Sequence, residues 1–412
     1  MQRMTACPAG LDVHKDVVVA AVPDGAGGHV IHRFSTTTPG LVVLRDWLVA
    51  HAVSRVGMEA TGVYWKPVYY MLEDDMEVWL YNARHMHNVP GRKTDVADAA
   101  WICELTEFGL ARPSFVPPVP IRELRNLTRY RKAQVQERTR EVQRLDKILQ
   151  DAGVKLSSVA TDVLGKSGRA MLLALIEGTT DPEVLAELAL GKLRVKIPAL
   201  REALAARFTR RHGVVVGAVL SKIDFLDELI SALGVEITEV VTPFARQIDL
   251  LDTMPGIDRR TAEGVLGEIG VDMGRFGSAA QLCSWAGVCP GNHESAGRRT
   301  SGRTRKGPKW LADFLHDAAQ AAVRTKSTYL SAQYHRLKPR LGHRRALVAV
   351  QHSMLTAIYH MLDRDQRYNE LGADYFDRRN DPAHHARRLI HDLTKLGYTV
   401  EVTPPPAHSD AA

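Results

Sequence analysis

The sequence contains little cysteine and no long apolar run. Its four cysteines, among 412 residues, form no CxxC pair, so neither a disulfide framework nor a zinc ribbon is expected. No stretch approaches the ~20 consecutive apolar residues of a membrane span, and the first residues lack the apolar core of a secretory signal. We therefore expect a cytoplasmic protein without a membrane partner, long enough for two or three domains.

Positive charge is in excess but is concentrated in one part of the chain. The formal net charge is +7, yet residues 1–118 hold 10 Lys and Arg against 13 Asp and Glu. Residues 291–345 hold 13 basic residues against 3 acidic ones. An acidic front followed by a basic block is typical of a protein that binds a polyanion, although a solvated basic surface is the alternative.

Apolar patterning gives the first 118 residues a mixed α/β order. Residues 9–35 contain two β-rich runs around a PDGAGG turn, which predicts an antiparallel meander. Helical and strand-like segments then alternate, so that the whole order reads β-β-β-α-β-α-β-α. This is the element order of the RNase H fold, and a proline-rich break at 111–120 ends the region.

The rest of the chain is predicted to be mainly helical. Residues 121–153 carry an apolar stripe and favour a long helix in a coiled-coil or helical-hairpin arm. Residues 121–150 hold 9 Lys and Arg against 4 Asp and Glu, so this helix is a candidate nucleic-acid surface. Residues 253–270 resemble a helix-hairpin-helix, whose backbone N–H groups can bind a phosphate, although an ordinary helix–helix turn has the same pattern.

Four acidic residues are candidates for a metal site in the first domain. Asp12 and Glu59 each interrupt an apolar strand, where a carboxylate is costly to bury unless it is paired or binds a cation. Asp95 and Asp98 are spaced i and i+3, so both lie on one face of the first turns of a predicted helix. Carboxylate oxygens are the ligands that Mg²⁺ prefers. A strand edge, or a helix N-terminus that favours negative charge, would explain each acid separately.

The segment CPGNHESAGRRTSGRTRKGPKWL (289–311) is the second candidate site. It is rich in Gly, Ser and Arg and has no apolar periodicity before Trp310, which predicts a mobile basic loop. Its cations can neutralise phosphates: Arg298, Arg299, Arg303, Arg305, Lys306 and Lys309. Such cations also stabilise the charge that develops when a serine hydroxyl attacks phosphate, but residue chemistry alone does not choose between Ser295 and Ser301.

Several motifs are specific when they are taken together and in order: GLDVHK, MEATGVYW, KTDVADA, MPGI, and AGVCPGNHESAGR followed by KGPKWL. They resemble the DEDD-type serine transposases of bacterial insertion sequences, the bridge-RNA-guided recombinases, over about residues 8–120 and 250–330. The resemblance implies a RuvC-like domain of RNase H fold (1–118), a helical coiled-coil arm (119–250), a mostly helical transposase domain with the catalytic serine (251–345), and a C-terminal helix and tail (346–412).

The resemblance also implies residue roles and partners. Asp12, Glu59, Asp95 and Asp98 match the acidic tetrad that holds Mg²⁺ or Mn²⁺, and Ser295 matches the nucleophile that forms a phosphoserine link to DNA. It further implies donor and target DNA, a noncoding guide RNA and a place near the bacterial nucleoid. The predicted helical arm suggests self-association, so we expect a homodimer or homotetramer. The residues alone leave open a RuvC-like metal-dependent nuclease that uses water, and a nucleic-acid-binding protein without catalysis.

Overall fold

The structure is a computed structural model that describes residues 4–60, 62–82, 86, 98–291, 293–295, 298–378 and 382–401. The chain divides into two compact units, Met1–Pro117 and Pro118–Ala412. The boundary lies inside the proline-rich stretch 111–120. Each proline lacks a backbone N–H donor and fixes its own φ angle, so such a stretch extends neither a helix nor a sheet.

The N-terminal unit is built on one mixed sheet with the strand order β3-β2-β1-β4-β5. Its strands are β1 Pro8–Val13, β2 Val17–Pro23, β3 His29–Ser35, β4 Arg55–Glu59 and β5 Glu77–Tyr81. The first three strands pair antiparallel, whereas β4 is parallel to β1 and β5 is parallel to β4. The predicted meander is therefore confirmed, and β1 lies at the centre of the sheet.

Helices cover both faces of this sheet. They are α1 Thr38–Ala50, α2 Trp65–Leu72 and α3 Asp98–Phe108. The apolar positions of α1 and α2 share one core with the strand residues that point to their side, including Leu11 and Met58. Helix α3 packs on the opposite face, where Ala99 and Cys103 meet Ala21 of β2. The α/β layer expected from the sequence is present.

The C-terminal unit is almost entirely helical. Its helices are α4 Val119–Asp151, α5 Leu156–Val159, α6 Lys166–Ile176, α7 Pro182–Glu187, α8 Ile197–Leu204, α9 Arg210–Val240, α10 Ala245–Asp252, α11 Arg259–Ile269, α12 Ala279–Trp285, α13 Lys309–Ala322, α14 Tyr329–Leu341, α15 His343–Asp363, α16 Tyr375–Arg378 and α17 Pro382–Lys395. Three short 3-10 turns lie at Gly191–Lys196, Thr242–Phe244 and Met273–Phe276. The unit also contains two short strands, β6 His293–Ser295 and β7 Arg298–Ser301.

Helices α4 and α9 run antiparallel through this unit. Leu124, near the start of α4, shares a core with Ile237 near the end of α9. Leu149, near the end of α4, shares a second core with Val216 near the start of α9. The long helix predicted over 121–153 is therefore confirmed, and it connects two cores. None of the described helices combines the length and apolar character that a membrane crossing requires.

Candidate functional site

Asp12 and Glu59 are neighbours in the sheet. Leu11 of β1 pairs with Met58 of β4 in parallel register, so the next residues, Asp12 and Glu59, lie on adjacent strands about 4.8 Å apart. Leu11 and Met58 are fully buried on the side of α1 and α2. Because side chains alternate along a strand, both acids face the other side of the sheet. Two adjacent carboxylates repel each other, and a cation between them removes that repulsion.

Helix α3 packs closely onto the face that carries these acids. A Cβ atom at Gly10 would lie 2.9 Å from the Cα atom of Cys103, and one at Gly57 would overlap the Oγ1 atom of Thr106, which also belongs to α3. Real Cβ atoms do not approach other heavy atoms that closely, so glycine at both positions is what lets the helix reach β1 and β4. The sequence analysis did not single out either glycine.

Asp98, the third expected acid, begins the described part of α3 and is partly buried. The residue after it, Ala99, contacts Gly10, which lies two positions before Asp12 in β1. The structure therefore brings the start of α3 to the sheet face on which Asp12 and Glu59 lie. Three of the four predicted acids therefore lie toward the same face of the sheet.

The fourth acid, Asp95, lies outside the described residues. Within the described ranges, no group of three or more His, Cys, Asp or Glu side chains lies close enough together to hold a metal ion. Asp12, Glu59 and Asp98 all offer carboxylate oxygens, and oxygen ligands suit Mg²⁺ or Mn²⁺ better than a softer metal. The complete four-ligand site stays a prediction.

His14 is a contact of this site that the sequence analysis missed. Its Nε2 atom lies 2.9 Å from Oδ2 of Asp12, and its ring is largely exposed. A hydrogen bond of this kind restricts the orientation of the carboxylate. Residues two positions apart along an extended chain share a face, so the Asp-Val-His spacing was the signal that could have pointed to it.

Two buried ionisable groups of the N-terminal unit, the Tyr81 hydroxyl and the Cys103 thiol, stay protonated. Burial raises the pKa of the Tyr81 hydroxyl to about 12, even though that hydroxyl donates a hydrogen bond to Oγ1 of Thr106. Burial also raises the pKa of the Cys103 thiol to about 12. Neither group offers an anionic nucleophile at neutral pH, so both serve to pack α3 against the sheet.

The basic segment 289–311 contains a β-hairpin, not the loop that its composition predicted. Strands β6 and β7 pair antiparallel, with Ser295 opposite Arg298 and a bulge between His293 and Glu294. Ser295 is the last residue of β6 and therefore lies at the turn end of the hairpin. The side chains of both strands, including those of Ser295, Arg298, Arg299 and Ser301, lie outside the described part of the structure.

The base of the hairpin is attached to the helical core. The ladder continues below β6 and β7, because the Gly291 N–H donates to the carbonyl of Arg303 at 3.1 Å and Pro290 bridges Thr304. A Cβ atom at Gly287 would lie 2.6 Å from the backbone nitrogen of Gly307, so the two ends of the segment cross in close contact. The hairpin thus presents Ser295 at the end away from this crossing.

Four of the predicted phosphate-binding cations can be placed, and all are exposed: Arg303, Arg305, Lys306 and Lys309. Arg305, Lys306 and Lys309 form no ion pair with any described residue. Unpaired, exposed cations at the base of a hairpin are available to phosphate oxygens. The polyanion-binding role of the basic block stays a prediction.

The basic helix α4 behaves differently. Arg129 forms a two-point ion pair with buried Glu268, at 2.6 and 2.8 Å, and Arg131 pairs with buried Glu263 at 2.8 Å. Further pairs join Lys132 to Asp317, Arg138 to Asp227, Arg140 to Glu137 and Arg144 to Glu141. Most of the charge of this helix is neutralised inside the unit. Its interpretation as a nucleic-acid surface is therefore not supported by the geometry.

The element at 253–270 consists of the turn that follows α10 and helix α11. Asp258 caps α11 by accepting the Thr261 N–H at 2.9 Å. Burial alone would raise the pKa of Asp258, yet its hydrogen bonds with Thr261 lower the pKa below the ordinary value. A carboxylate thus already occupies the helix N-terminus where a phosphate would bind. The phosphate-binding role of this element stays a prediction.

Two family models match the chain. A DEDD-type model described as a transposase matches residues 9–153, and a model described as a transposase of the IS116/IS110/IS902 family matches residues 248–335. Together they cover more than half of the sequence. The first match includes β1, β4 and α3, and the second includes the hairpin. No curated protein matches the chain at a significant level.

Proposed function

The chain belongs to the IS110 family of transposases, and we propose that it cuts and rejoins the DNA of its insertion sequence through a covalent link to Ser295. The acids of the N-terminal unit assist at the same phosphate. The observation that carries the proposal is the meeting of Asp12, Glu59 and the start of α3 on one sheet face. Such a set of carboxylates offers the oxygen ligands that a divalent cation prefers.

We infer that the N-terminal unit has an RNase H-like fold of the RuvC type. The inference is supported by the element order and by a mixed sheet whose central strand β1 carries the first acid. In this fold, the acids that would hold Mg²⁺ or Mn²⁺ are Asp12, Glu59, Asp95 and Asp98. A divalent ion bound there would supply positive charge to the oxygens of the scissile phosphate.

Ser295 is proposed as the nucleophile because it lies at the turn end of a hairpin within the basic block. Its hydroxyl loses a proton, a bond forms between Oγ and phosphorus, and the bond from phosphorus to the leaving DNA oxygen breaks. The leaving oxygen takes up a proton. A hydroxyl of another DNA strand reverses these events and releases the serine, so the phosphodiester is conserved throughout.

The exposed cations Arg303, Arg305, Lys306 and Lys309 would hold the DNA backbone during this exchange. Backbone contacts carry no sequence information. A noncoding guide RNA that pairs with donor and target DNA would supply the sequence choice, and this part of the proposal rests on the family resemblance. A dimer or tetramer would supply two sites for the strands that are exchanged.

Ser295→Ala tests the proposal directly, with Ser301→Ala as the matched control on the partner strand. Each protein is incubated with end-labelled donor DNA, the noncoding RNA of the element and Mg²⁺, and protein–DNA adducts that survive denaturation are measured. We expect the adduct and recombination to be lost in Ser295→Ala and kept in Ser301→Ala. An adduct formed by Ser295→Ala, or cleavage that uses water alone in the unchanged protein, would refute the serine mechanism.

Asp12→Asn tests the acids in the same assay. The amide keeps the size of the side chain but lowers its charge and its value as a metal ligand. We expect recombination to be lost while the thermal unfolding of the protein is unchanged. Full Mg²⁺-dependent activity in this variant would exclude Asp12 from the site.

A further inference from the structure

A cavity of about 530 Å³ lies in the C-terminal unit, between α15, the start of α14 and the segment 364–371 that follows α15. This volume is within the range of small-molecule sites. Most of its lining comes from residues 352–371, which neither family model matches. The proposed catalytic acids and Ser295 take no part in it.

One wall of the cavity offers hydrogen-bonding groups at helical spacing. His352, Thr356 and His360 are four positions apart along α15 and therefore share a face. Burial lowers the pKa of His352, so its imidazole is neutral at pH 7 and presents one donor and one acceptor. Nδ1 of His360 is buried and has no hydrogen-bond partner in the part of the chain that the structure describes. A ligand with polar edges would satisfy the imidazole of His352. The Thr356 hydroxyl already donates to the His352 carbonyl at 2.9 Å, and the buried Nδ1 of His360 is not accessible from the cavity.

Two arginines, Arg364 and Arg367, line the cavity beyond the C-terminal end of α15. Arg364 and Arg367 are exposed and form no ion pair with other described residues. Of the acids nearest in sequence, Asp365 pairs with Arg246 at 3.1 Å and Glu370 accepts two backbone N–H groups, whereas Asp363 lies next to Arg364 and forms no ion pair with a described residue. Guanidinium groups left in this way bind anions, phosphate above all, by charge-assisted hydrogen bonds.

We propose that this cavity binds one phosphorylated nucleoside, with the phosphate at Arg364 and Arg367 and the base along the His352 face of α15. A base offers hydrogen-bond donors and acceptors that can pair with the imidazole of His352, and imidazole rings also stack on bases. The nucleotide can come from two sources: a free mononucleotide, or an unpaired nucleotide of a bound strand. The inference does not depend on the serine mechanism.

The test uses the full chain and measures affinity for three probes: deoxyadenosine monophosphate, inorganic phosphate, and a short single-stranded DNA. The variant is Arg364→Gln/Arg367→Gln. The matched control is Arg210→Gln/Arg211→Gln, which removes the same charge from exposed positions at the start of α9, outside the cavity. Thermal unfolding of both variants is compared with that of the unchanged protein.

We expect the cavity variant to lose about tenfold or more in affinity for a nucleotide probe, since two charge-assisted contacts are removed. For the single strand, the slope of log K against log salt should fall by about 1.4. The control should bind as the unchanged protein does. Loss for the mononucleotide identifies a free nucleotide as the ligand, and loss for the strand alone identifies an unpaired nucleotide.

Equal affinities of the cavity variant and the control for both nucleotide probes would overturn the proposal. Inorganic phosphate that competes as well as the mononucleotide would overturn the assignment of the base. Ser295→Ala is measured alongside and should bind the probes normally. A failure of the serine mechanism and a failure of this site therefore give different results.

Discussion

Replacing Gly10 with alanine tests whether the close contact between α3 and β1 positions the acids. The added Cβ atom would lie 2.9 Å from the Cα atom of Cys103 and closer still to the backbone of Ala99. Helix α3 would have to withdraw by about 1 Å to restore ordinary contacts. A displacement of that size at a catalytic group costs about 10²-fold in rate, and overpacking lowers the free energy of unfolding by about 1–3 kcal/mol.

Recombination between donor and target plasmids, with the noncoding RNA supplied, measures the first effect, and thermal unfolding measures the second. We expect Gly10→Ala to fold, to melt earlier and to recombine about 100-fold more slowly. Gly234→Ala in α9 is the matched control, because a Cβ atom there meets nothing within 4 Å. That variant should keep full activity and gain stability slightly, since alanine favours a helix over glycine.

A Gly10→Ala protein with unchanged activity and unchanged unfolding would refute the reasoning that this contact sets the position of α3. If Gly10→Ala unfolds at a lower temperature but keeps full activity, the close packing of α3 stabilises the fold but does not set the position in which Asp98 functions.

Three further perturbations address the charges of the C-terminal unit. Arg129→Met leaves the buried Glu268 carboxylate without its two-point partner, so the free energy of unfolding measured with urea should fall by about 3 kcal/mol. Hydrogen bonds from Arg140 and Lys222 lower the pKa of Glu137 from 4.5 to about 2. Its stabilisation is therefore complete above pH 4.5 and is lost as the pH falls toward 2, so the melting temperatures of the unchanged protein and Glu137→Gln should converge as the pH falls from 4.5 to about 2. Arg305→Gln/Lys306→Gln should reduce the slope of log K against log salt for duplex DNA by about 1.8.

Each of these perturbations has a control. Arg246→Met breaks an exposed ion pair with Asp365 and should change the free energy of unfolding by less than about 1 kcal/mol. An equal loss in Arg246→Met and Arg129→Met would contradict the larger cost that we expect for the buried pair of Arg129 with Glu268. A melting difference at Glu137 that stays constant with pH would show that its ion pairs do not stabilise the fold. Arg138→Gln/Arg140→Gln should leave the salt slope unchanged, because both arginines already pair with acids.

Much of the fold followed from local patterns. The meander and the long helix α4 were predictable, because alternation and helical periodicity act over a few residues. The hairpin at 293–301 was not, because its strands carry no apolar alternation. It forms where the close crossing at Gly287 and Gly307 holds the two ends of the segment together.

The candidate site was predictable in part. Asp12 and Glu59 could be named because a carboxylate within an apolar strand is costly, but their adjacency depends on the parallel register of β1 and β4. The roles of Gly10 and Gly57 were invisible, since each depends on a helix that lies at least 40 positions away in the sequence. Close approach of two elements leaves no local pattern in either of them.

The sequence by itself determined the family motifs, the element types and the total charge of each segment. Only the tertiary structure decided which of those charges remain available. Arg129 of α4 and Arg305 of the basic segment are alike in composition, yet Arg129 meets a buried glutamate 139 positions later and Arg305 pairs with no described acid. An ion pair depends on distance in space, and the chain sets that distance only when it folds.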